Sequence, residues 1–328
     1  MMCFAFLGLS CAFQNEKVRN DIPVLEVLDD TLSLENACKR ISLSVLSRLE
    51  KNDSNGLTLF YGIIDKAADS LKRALGRNAQ TLVGEQAILD VVYNNWKMGF
   101  DPRDDVIETI LPHLAFKKKK GNCMGVSLMI LILAEKLSCP IYGVVLPGHF
   151  FCRYDDGATR VNIEPNRRGF QHPDDYYRTK YLSSGFSMHT LTNLTKKETL
   201  GVLYYTVGTL FLKRHDNGFA AACLKESFRR VPLFIEAKGN YACALALCGK
   251  SDSAIKLFDS LFETYPSMIN LAANYGAVAM EAGHYQKALQ IYKKGLHYFP
   301  SDPKLLLGLS QAYVKCAMKD SVHAESFR

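Results

Sequence analysis

The sequence predicts an α+β fold: a helical lead-in, then a helix packed against an antiparallel sheet, then an all-α stack of helical repeats. Three observations predict it: apolar residues at helical spacing near the N terminus, β-rich runs after a long apolar segment, and a 34-residue period near the C terminus. With 328 residues and 48% hydrophobic content, the chain can bury two ordinary cores. We therefore divide it into an N-terminal extension at 1–24, a core domain at 25–195 and a repeat domain at 196–328.

The lead-in, from about residue 25 to residue 116, is predicted to consist of amphipathic helices. In the clearest of them, apolar residues recur at three- and four-residue spacing: Leu34, Ala37, Ile41, Val45 and Leu49. This spacing places them on one helix face, which we expect to be buried.

A lone cysteine stands between a lysine run and an apolar helix in "FKKKKGNCMGVSLMILILAEKL", residues 116–137. Gly121 supplies a break and Asn122 an N-cap, which places Cys123 in the first turn of the helix. Unpaired backbone N–H groups, the helix dipole and the lysines 117–120 would all favour a thiolate there. The alternative is an inert core cysteine beside a solvated lysine loop.

A histidine that could serve as a base lies in a predicted β-hairpin downstream. Residues 141–154 and 159–164 are rich in β-branched and aromatic types, and the Asp-Gly dipeptide at 156–157 signals a two-residue hairpin loop. Such a loop places His149 directly opposite Glu164, with both side chains on one face. The chain order Cys123, His149, Glu164 then matches a nucleophile, a base and an acid that orients the base.

The C-terminal part has the period of tetratricopeptide repeats. Pro232, Pro266 and Pro300 are each 34 residues apart. Two further columns keep the same register: Ala220, Ala254 and Ala288, and Leu224, Phe258 and Tyr292. The period predicts three repeats over residues 201–302 and a capping helix at about 303–318.

The first helix of each repeat would line a concave surface that holds a protein or peptide partner. These helices are predicted at Val202–Lys213, Glu236–Leu247 and Asn270–Ala282. Tyr241 and Tyr275 share one repeat column and are expected to pack between helices. Tyr205 falls outside that column and is the better candidate for the groove.

The segments "GNCMGVSLMILILAEKL", "GVVLPGHFF" and "NIEP" resemble the core of the transglutaminase-like superfamily, whose members share a papain-type Cys–His–Asp/Glu triad. The resemblance covers about residues 30–182, including the lead-in "VVYNNWKMGFDP". It is strongest to the bacterial SirB-type branch, in which such a core precedes tetratricopeptide repeats. The resemblance implies a nucleophile at Cys123, a base at His149 and an orienting acid at Glu164, a glutamate where transglutaminases proper use aspartate. Some members of that branch lack the cysteine, which this chain retains.

Several other classes of function are not indicated. The net charge of +7 is scattered, without the aromatic-interleaved basic surface that binds nucleic acid. No glycine loop of the phosphate-binding kind is present. His149 and Cys152 are the nearest ligand pair, but their spacing on a strand puts them on opposite faces. We therefore expect neither a metal nor a cofactor.

The N-terminal segment bears on location. Met1–Phe13 is an uncharged apolar run that resembles the core of an export signal, with a lipid-attachment candidate at Cys11, although a basic start is missing. We favour an exported, envelope-associated protein over the alternative of a cytoplasmic one. No stretch of about 20 apolar residues exists, so the sequence predicts no membrane-spanning helix.

Two hypotheses of function follow. The favoured one is a cysteine acyl-transfer enzyme, acting as a peptidase, amidase or transglutaminase-type transferase, whose repeats recruit a protein substrate. The alternative is a scaffold with an idle triad that binds partners through its repeats. Selective ionisation of one thiol among ten would favour the enzyme.

Overall fold

The computed structural model describes residues 18–26, 28–182 and 191–325, with side chains up to residue 318. The segment Met1–Phe13, with the lipid-attachment candidate Cys11, lies outside the described residues. The chain forms two compact units, each of which is described separately.

The first unit consists mainly of residues 24–210, together with 229–231. It is helical apart from a two-stranded and a three-stranded sheet. Its elements, in chain order, are α1 (Leu34–Arg48), α2 (Ser54–Leu75), α3 (Leu82–Asp90), β1 (Gly99–Phe100), α4 (Ile107–Ile110), α5 (Pro112–Lys118), β2 (Lys120–Gly121), α6 (Cys123–Leu137), β3 (Ile141–Leu146), β4 (His149–Asp155), β5 (Arg160–Ile163), α7 (Asp174–Tyr181) and the greater part of α8 (Lys196–Lys213).

Helix α1 forms where the apolar spacing predicts it. Ser33 caps its N terminus, since its side chain accepts a hydrogen bond from the Asn36 N–H. The face defined by the spacing is buried at Leu34, Ala37, Ile41 and Val45, whereas Leu49 follows the last residue of the helix and is half-buried. The predicted amphipathic helix is therefore confirmed.

Helix α6 is the centre of the first unit and is buried almost all round, as its apolar sequence predicts. The Asn122 side chain caps it by accepting hydrogen bonds from the N–H groups of Met124 and Gly125, at 3.1 and 3.0 Å. A Cβ atom at Gly125 would lie 2.2 Å from the carbonyl oxygen of Thr109. Only glycine therefore allows this close approach at the start of the helix.

Helix α6 packs against a three-stranded antiparallel sheet in the order β3-β4-β5. The β-rich run at 141–154, predicted as one segment, is two strands that pair with Leu146 opposite His149. The chain reverses at Pro147 and Gly148, and Gly148 has a φ of 71°. Proline followed by a residue with positive φ is the composition of a type II turn, a signal that the sequence interpretation missed.

The register predicted for the β4–β5 hairpin is wrong by two residues. Asp155 pairs with Arg160, so the loop has four residues, where the dipeptide signal predicted two. The Asp156 side chain closes this wider loop by accepting hydrogen bonds from the N–H groups of Ala158 and Thr159. Hydrogen bonding of an aspartate to nearby backbone thus prevails over the dipeptide rule.

The second unit, which includes residues 211–228 and 232–325, is an all-α stack, as predicted. Pro232, Pro266 and Pro300 each follow the end of a helix, where the missing N–H ends the hydrogen-bond ladder. The two columns of small and large residues, from Ala220 and Leu224 onward, are buried. Its helices are α9 (Asn217–Arg230, which ends in the first unit), α10 (Ile235–Leu247), α11 (Ser251–Thr264), α12 (Ile269–Glu281), α13 (Tyr285–Tyr298) and α14 (Pro303–Glu325).

The tyrosines considered for a partner groove are mostly buried. Tyr205 is only 8% exposed because α8 is enclosed on nearly every side, so its assignment to a groove is wrong. Tyr275 stacks on Phe258 with 5.2 Å between ring centroids, which confirms the predicted packing between helices. Tyr241 is half-buried, with its ring 5.3 Å from that of Phe228.

A helix that crosses a bilayer must be both long and apolar. Over residues 18–26, 28–182 and 191–325, no helix combines the length and apolarity that a membrane span requires.

Candidate active site

The sheet brings His149 and Glu164 to one end. His149 is the first residue of β4, and Glu164 directly follows the last residue of the antiparallel β5. The Nε2 atom of His149 lies 2.8 Å from Oε2 of Glu164, and each residue is 3% exposed. The two side chains therefore form a buried hydrogen bond, the contact that the sequence predicts.

The contact forms despite the register error because the error is an even number of residues. Side chains alternate between the faces of a strand, so a slip of two leaves each side chain on its original face. Glu164 lies beyond the paired residues of β5 and bridges to Phe170 instead. It therefore reaches His149 diagonally across the end of the sheet.

Cys123 is the first residue of α6, at the helix N terminus that Asn122 caps. It is 8% exposed, and its thiol is close enough to His149 to help raise the pKa of the ring. Since Nε2 of His149 is engaged with Glu164, the remaining ring nitrogen, Nδ1, is the one available to the thiol. The packing of α6 on β4 brings the two residues together.

The surroundings of His149 favour its protonated form. Burial opposes a charge on the ring, but the hydrogen bonds and negative charges of Cys123 and Glu164 outweigh it and raise the pKa of His149 to about 9. A proton transferred from the thiol can therefore be held on the imidazole at neutral pH. A neutral ring with its proton on Nε2 would donate to Glu164 and leave Nδ1 ready to accept.

Glu164 is held as a carboxylate. Its Oε2 accepts hydrogen bonds from His149 and from the Tyr177 hydroxyl, the latter at 3.3 Å, and its Oε1 accepts one from the Asn166 N–H at 3.0 Å. Burial alone would raise the pKa of Glu164, but these hydrogen bonds and the charge of His149 lower it. The acid is thus oriented by partners on three sides.

Two site residues were missed by sequence reasoning, both on α7. Tyr177 donates to Glu164, and the ring of Tyr181 stacks on His149 with 4.6 Å between centroids and 6° between planes. The sequence "DDYYRTKY" does place these tyrosines four residues apart on one helix face. The spacing alone could not show that this face covers the imidazole.

A buried arginine fixes α7 to the sheet. Arg153 on β4 is fully buried and donates hydrogen bonds to Asn162 on β5, to the carbonyl of Leu191 and to Asp174, at 2.6, 2.5 and 2.7 Å. Asn162 donates to the same carboxylate at 2.8 Å. Because Asp174 begins α7, this network holds the helix that carries Tyr177 and Tyr181.

The lysine run that precedes α6 has other contacts than the one predicted. Lys117 forms an ion pair with Asp53, with 3.1 Å between nitrogen and oxygen, and the Lys119 ammonium lies 3.5 Å from the ring centroid of Phe116. These exposed side chains are partnered within their own part of the surface. The prediction that they act on Cys123 therefore finds no support in their contacts.

The other buried cysteines have a different environment from Cys123. Burial raises the pKa of Cys139, Cys152 and Cys243 to about 12 in each case. Wherever side chains are described, no group of three His, Cys, Asp or Glu residues is placed to hold a metal ion.

Two models of known families match parts of this chain. Residues 61–191, which contain Cys123, His149 and Glu164, match the family model of the transglutaminase-like superfamily. Residues 279–321 match the model of the tetratricopeptide repeat. No curated protein is similar enough to count as a match.

The first of these matches defines the class: this chain carries a transglutaminase-like domain. More particularly, the domain is followed by a tetratricopeptide repeat, a module that serves protein–protein interaction in general. The predicted resemblance to both families is confirmed. The assignment to the SirB-type branch and the domain boundaries at residues 24 and 195 stay predictions.

Proposed function

We propose that the protein is a cysteine-dependent acyl-transfer enzyme that acts on an amide, as a peptidase, an amidase or a transglutaminase-type transferase. Cys123 is the nucleophile, His149 the base and Glu164 the residue that orients the base. The observation that supports this most is the buried hydrogen bond between the His149 ring and the Glu164 carboxylate, on a sheet that packs against the helix beginning at Cys123.

In the proposed reaction the proton of the Cys123 thiol is held on Nδ1 of His149, and the resulting thiolate attacks the amide carbonyl carbon. The oxyanion accepts a hydrogen bond from the Cys123 backbone N–H at the start of α6. The C–N bond then breaks, and the proton on His149 goes to the departing amine. Water or a second amine attacks the resulting thioester, which releases the acyl group and restores the thiol.

In this proposal the role of the repeat region is to bind a protein. A stack of helical repeats presents an extended surface, and its usual role is to hold a protein or peptide. We infer that the repeat region recruits a protein substrate or a partner for the transglutaminase-like domain.

A small acyl thioester tests the catalytic part directly. Incubation of the full chain with an N-acetylglycyl thioester should add one acyl group to Cys123, detected by mass spectrometry of tryptic peptides. The Cys123→Ala and His149→Ala variants should not be acylated, whereas Cys248→Ala, which removes a half-buried thiol of the second unit, should be acylated normally.

Absence of acylation in the correctly folded wild-type chain would refute the enzyme and leave the idle scaffold. That alternative has its own signature. A partner captured by the full chain should then be captured equally by Cys123→Ala, since a scaffold needs no thiol.

A further inference from the structure

A ladder of aromatic rings lies on the surface of the first unit beside the candidate active site. The ring of Phe170 is 4.7 Å from that of His172, which in turn stacks on Tyr176 with 3.7 Å between centroids and 8° between planes. Phe170 is 57% exposed, although large apolar side chains are usually buried. Phe170 is therefore one end of a contiguous row of rings, and a contiguous apolar patch at a surface is typical of a binding site.

The ladder continues along α7 to the candidate base. The Lys180 ammonium lies 5.2 Å from the ring centroids of both Tyr176 and Tyr181, and so joins one tyrosine to the next. Tyr181 then stacks on His149. We call Phe170, His172, Tyr176 and Tyr181 the aromatic strip.

The cations along the strip lack acidic partners. Wherever the structure is described, Arg167, Arg168 and Lys180 form no ion pair: Arg168 donates to an amide oxygen and a backbone carbonyl, and Lys180 donates to a tyrosine hydroxyl. The first two carboxylates of α7 are already engaged, Asp174 with Arg153 and Asp175 with Arg178. The strip is therefore flanked by three cations that form no ion pair among the described residues.

An open cavity of about 510 Å³ lies at the Phe170 end of the strip. Arg167, Arg168 and Phe170 line it together with Tyr93 and one carboxylate, Asp90, so that positive charge is in excess among its charged lining residues. A volume of this size accommodates one or two side chains. The strip thus runs from a cavity with two arginines to the imidazole of the candidate base.

We propose that the aromatic strip is the docking surface for the acyl substrate, and that its occupant is an extended, acidic peptide segment with an aromatic side chain. Flat rings bind aromatic groups by offset or edge contacts, and the cations beside the strip select carboxylates next to them. An extended peptide, at about 3.3 Å per residue, could contact Phe170 and the His149 end together. The proposal rests on the proposed function, since it names the substrate class of that site.

The test separates binding from chemistry by using the full chain with Cys123→Ala, which cannot form an acyl-enzyme. Isothermal titration would measure the Kd of three peptides: acetyl-Glu-Glu-Phe-Glu-Gly-amide, the same peptide with alanine in place of phenylalanine, and the same peptide with lysine in place of each glutamate. We expect the first to bind about 3- to 10-fold more tightly than either of the others.

Substitutions in the strip, or of a cation beside it, should remove this preference for the acidic aromatic peptide. Phe170→Ala should weaken binding of the first peptide about 3- to 10-fold, and Arg167→Glu should shift the preference toward the lysine peptide. The matched controls are Leu59→Ala and Arg73→Glu, two exposed residues of α2 outside the strip, and both should leave the Kd unchanged. Circular dichroism melting would check that every variant is folded.

Equal or undetectable binding of the three peptides, or strip variants that behave like the controls, would overturn the docking surface. The thioester experiment reports on the proposed function separately. If the chain is acylated at Cys123 but shows no peptide preference, the docking surface is refuted and the proposed function is not. If the chain prefers the acidic aromatic peptide but is never acylated, the proposed catalytic function is refuted and the docking surface is not.

Discussion

The orientation of one ring decides what the candidate site can do. His149 uses Nε2 to contact Glu164, which leaves Nδ1 for Cys123. If the ring were rotated by half a turn, Glu164 would contact Nδ1, and Nδ1 would not be available to Cys123. Tyr181 stacked on the ring face and Tyr177 on the carboxylate both restrict such a rotation.

At the scale of single residues, alkylation distinguishes the cysteines. We expect iodoacetamide at pH 6 to modify Cys123 at least about tenfold faster than Cys139, Cys152 or Cys243, because Cys123 lies at a helix N terminus near the His149 ring. Burial keeps the other three protonated, with pKa values of about 12. Mass spectrometry of tryptic peptides after brief labelling gives the four rates, and equal slow labelling would mean that Cys123 is an inert core cysteine.

The base and its orienting acid should differ in their effects on the acylation rate. We expect His149→Ala to lower the rate of Cys123 acylation by about 10²- to 10⁴-fold, the usual contribution of a general base. Glu164→Gln should lower it less, because the acid sets the ring orientation and takes no part in bond making. Stopped-flow acylation by a small thioester measures both.

The control for this pair is Glu198→Gln, a half-buried glutamate in the first turn of α8 that hydrogen-bonds to Thr195, which should leave the rate unchanged. Full activity of Glu164→Gln would show that another group orients the ring.

At the scale of elements, the sequence could predict what depends on local patterns. The Asn122 cap follows from residue type and neighbours, and so does the burial of α6. The hairpin contact between His149 and Glu164 follows from the alternation of side chains, which tolerates an even error of register. The position of α7 over His149 could not be predicted, because it depends on Arg153 reaching three distant groups at once.

The start of α6 offers a prediction about an element. Gly125→Ala would bring a Cβ atom to 2.2 Å from the Thr109 carbonyl oxygen, so the helix start must shift. We expect the free energy of unfolding to fall by roughly 1–3 kcal/mol, the usual cost of overpacking, and the acylation rate of Cys123 to fall with it. Urea denaturation and thioester acylation measure the two effects.

The matched control is Gly62→Ala in α2, where nothing lies within 4 Å of the added Cβ atom. That change should raise the free energy of unfolding by about 0.5–1 kcal/mol, because alanine favours a helix more than glycine does. If Gly125→Ala behaved in the same way, the close approach to Thr109 would not constrain the helix.

At the scale of the whole molecule, two histidines make the free energy of unfolding depend on pH, and their effects have opposite signs. Burial lowers the pKa of His113 to about 4, and neither of its ring nitrogens has a hydrogen-bond partner among the described residues. His149 has its pKa raised to about 9. Relative to an unfolded value of about 6.5, His113 costs stability as the pH falls from 6.5 to 4. His149 contributes stability below 6.5 that is lost as the pH rises through 9.

We therefore expect the free energy of unfolding to be greatest near pH 6.5 and to fall on both sides. His113→Leu should reduce the loss between pH 6.5 and pH 4 by about 3 kcal/mol, because the leucine takes up no proton on unfolding. Urea denaturation at each pH measures the profile, with the exposed His297→Leu as control. If the free energy of unfolding of His113→Leu fell as steeply below pH 6.5 as that of the wild type, groups other than His113 would be responsible for the fall.

The near-complete burial of α6 has a consequence for the order of events during synthesis. The helices that enclose it on the N-terminal side, α1 to α5, leave the ribosome before α6 does, and the strands β3 and β4 follow directly. Contacts between segments close in sequence cost little chain entropy and form early. Folding can therefore proceed from the N terminus as the chain emerges. A nascent chain would then bury the helix that begins at the candidate nucleophile while the repeat region is still being translated.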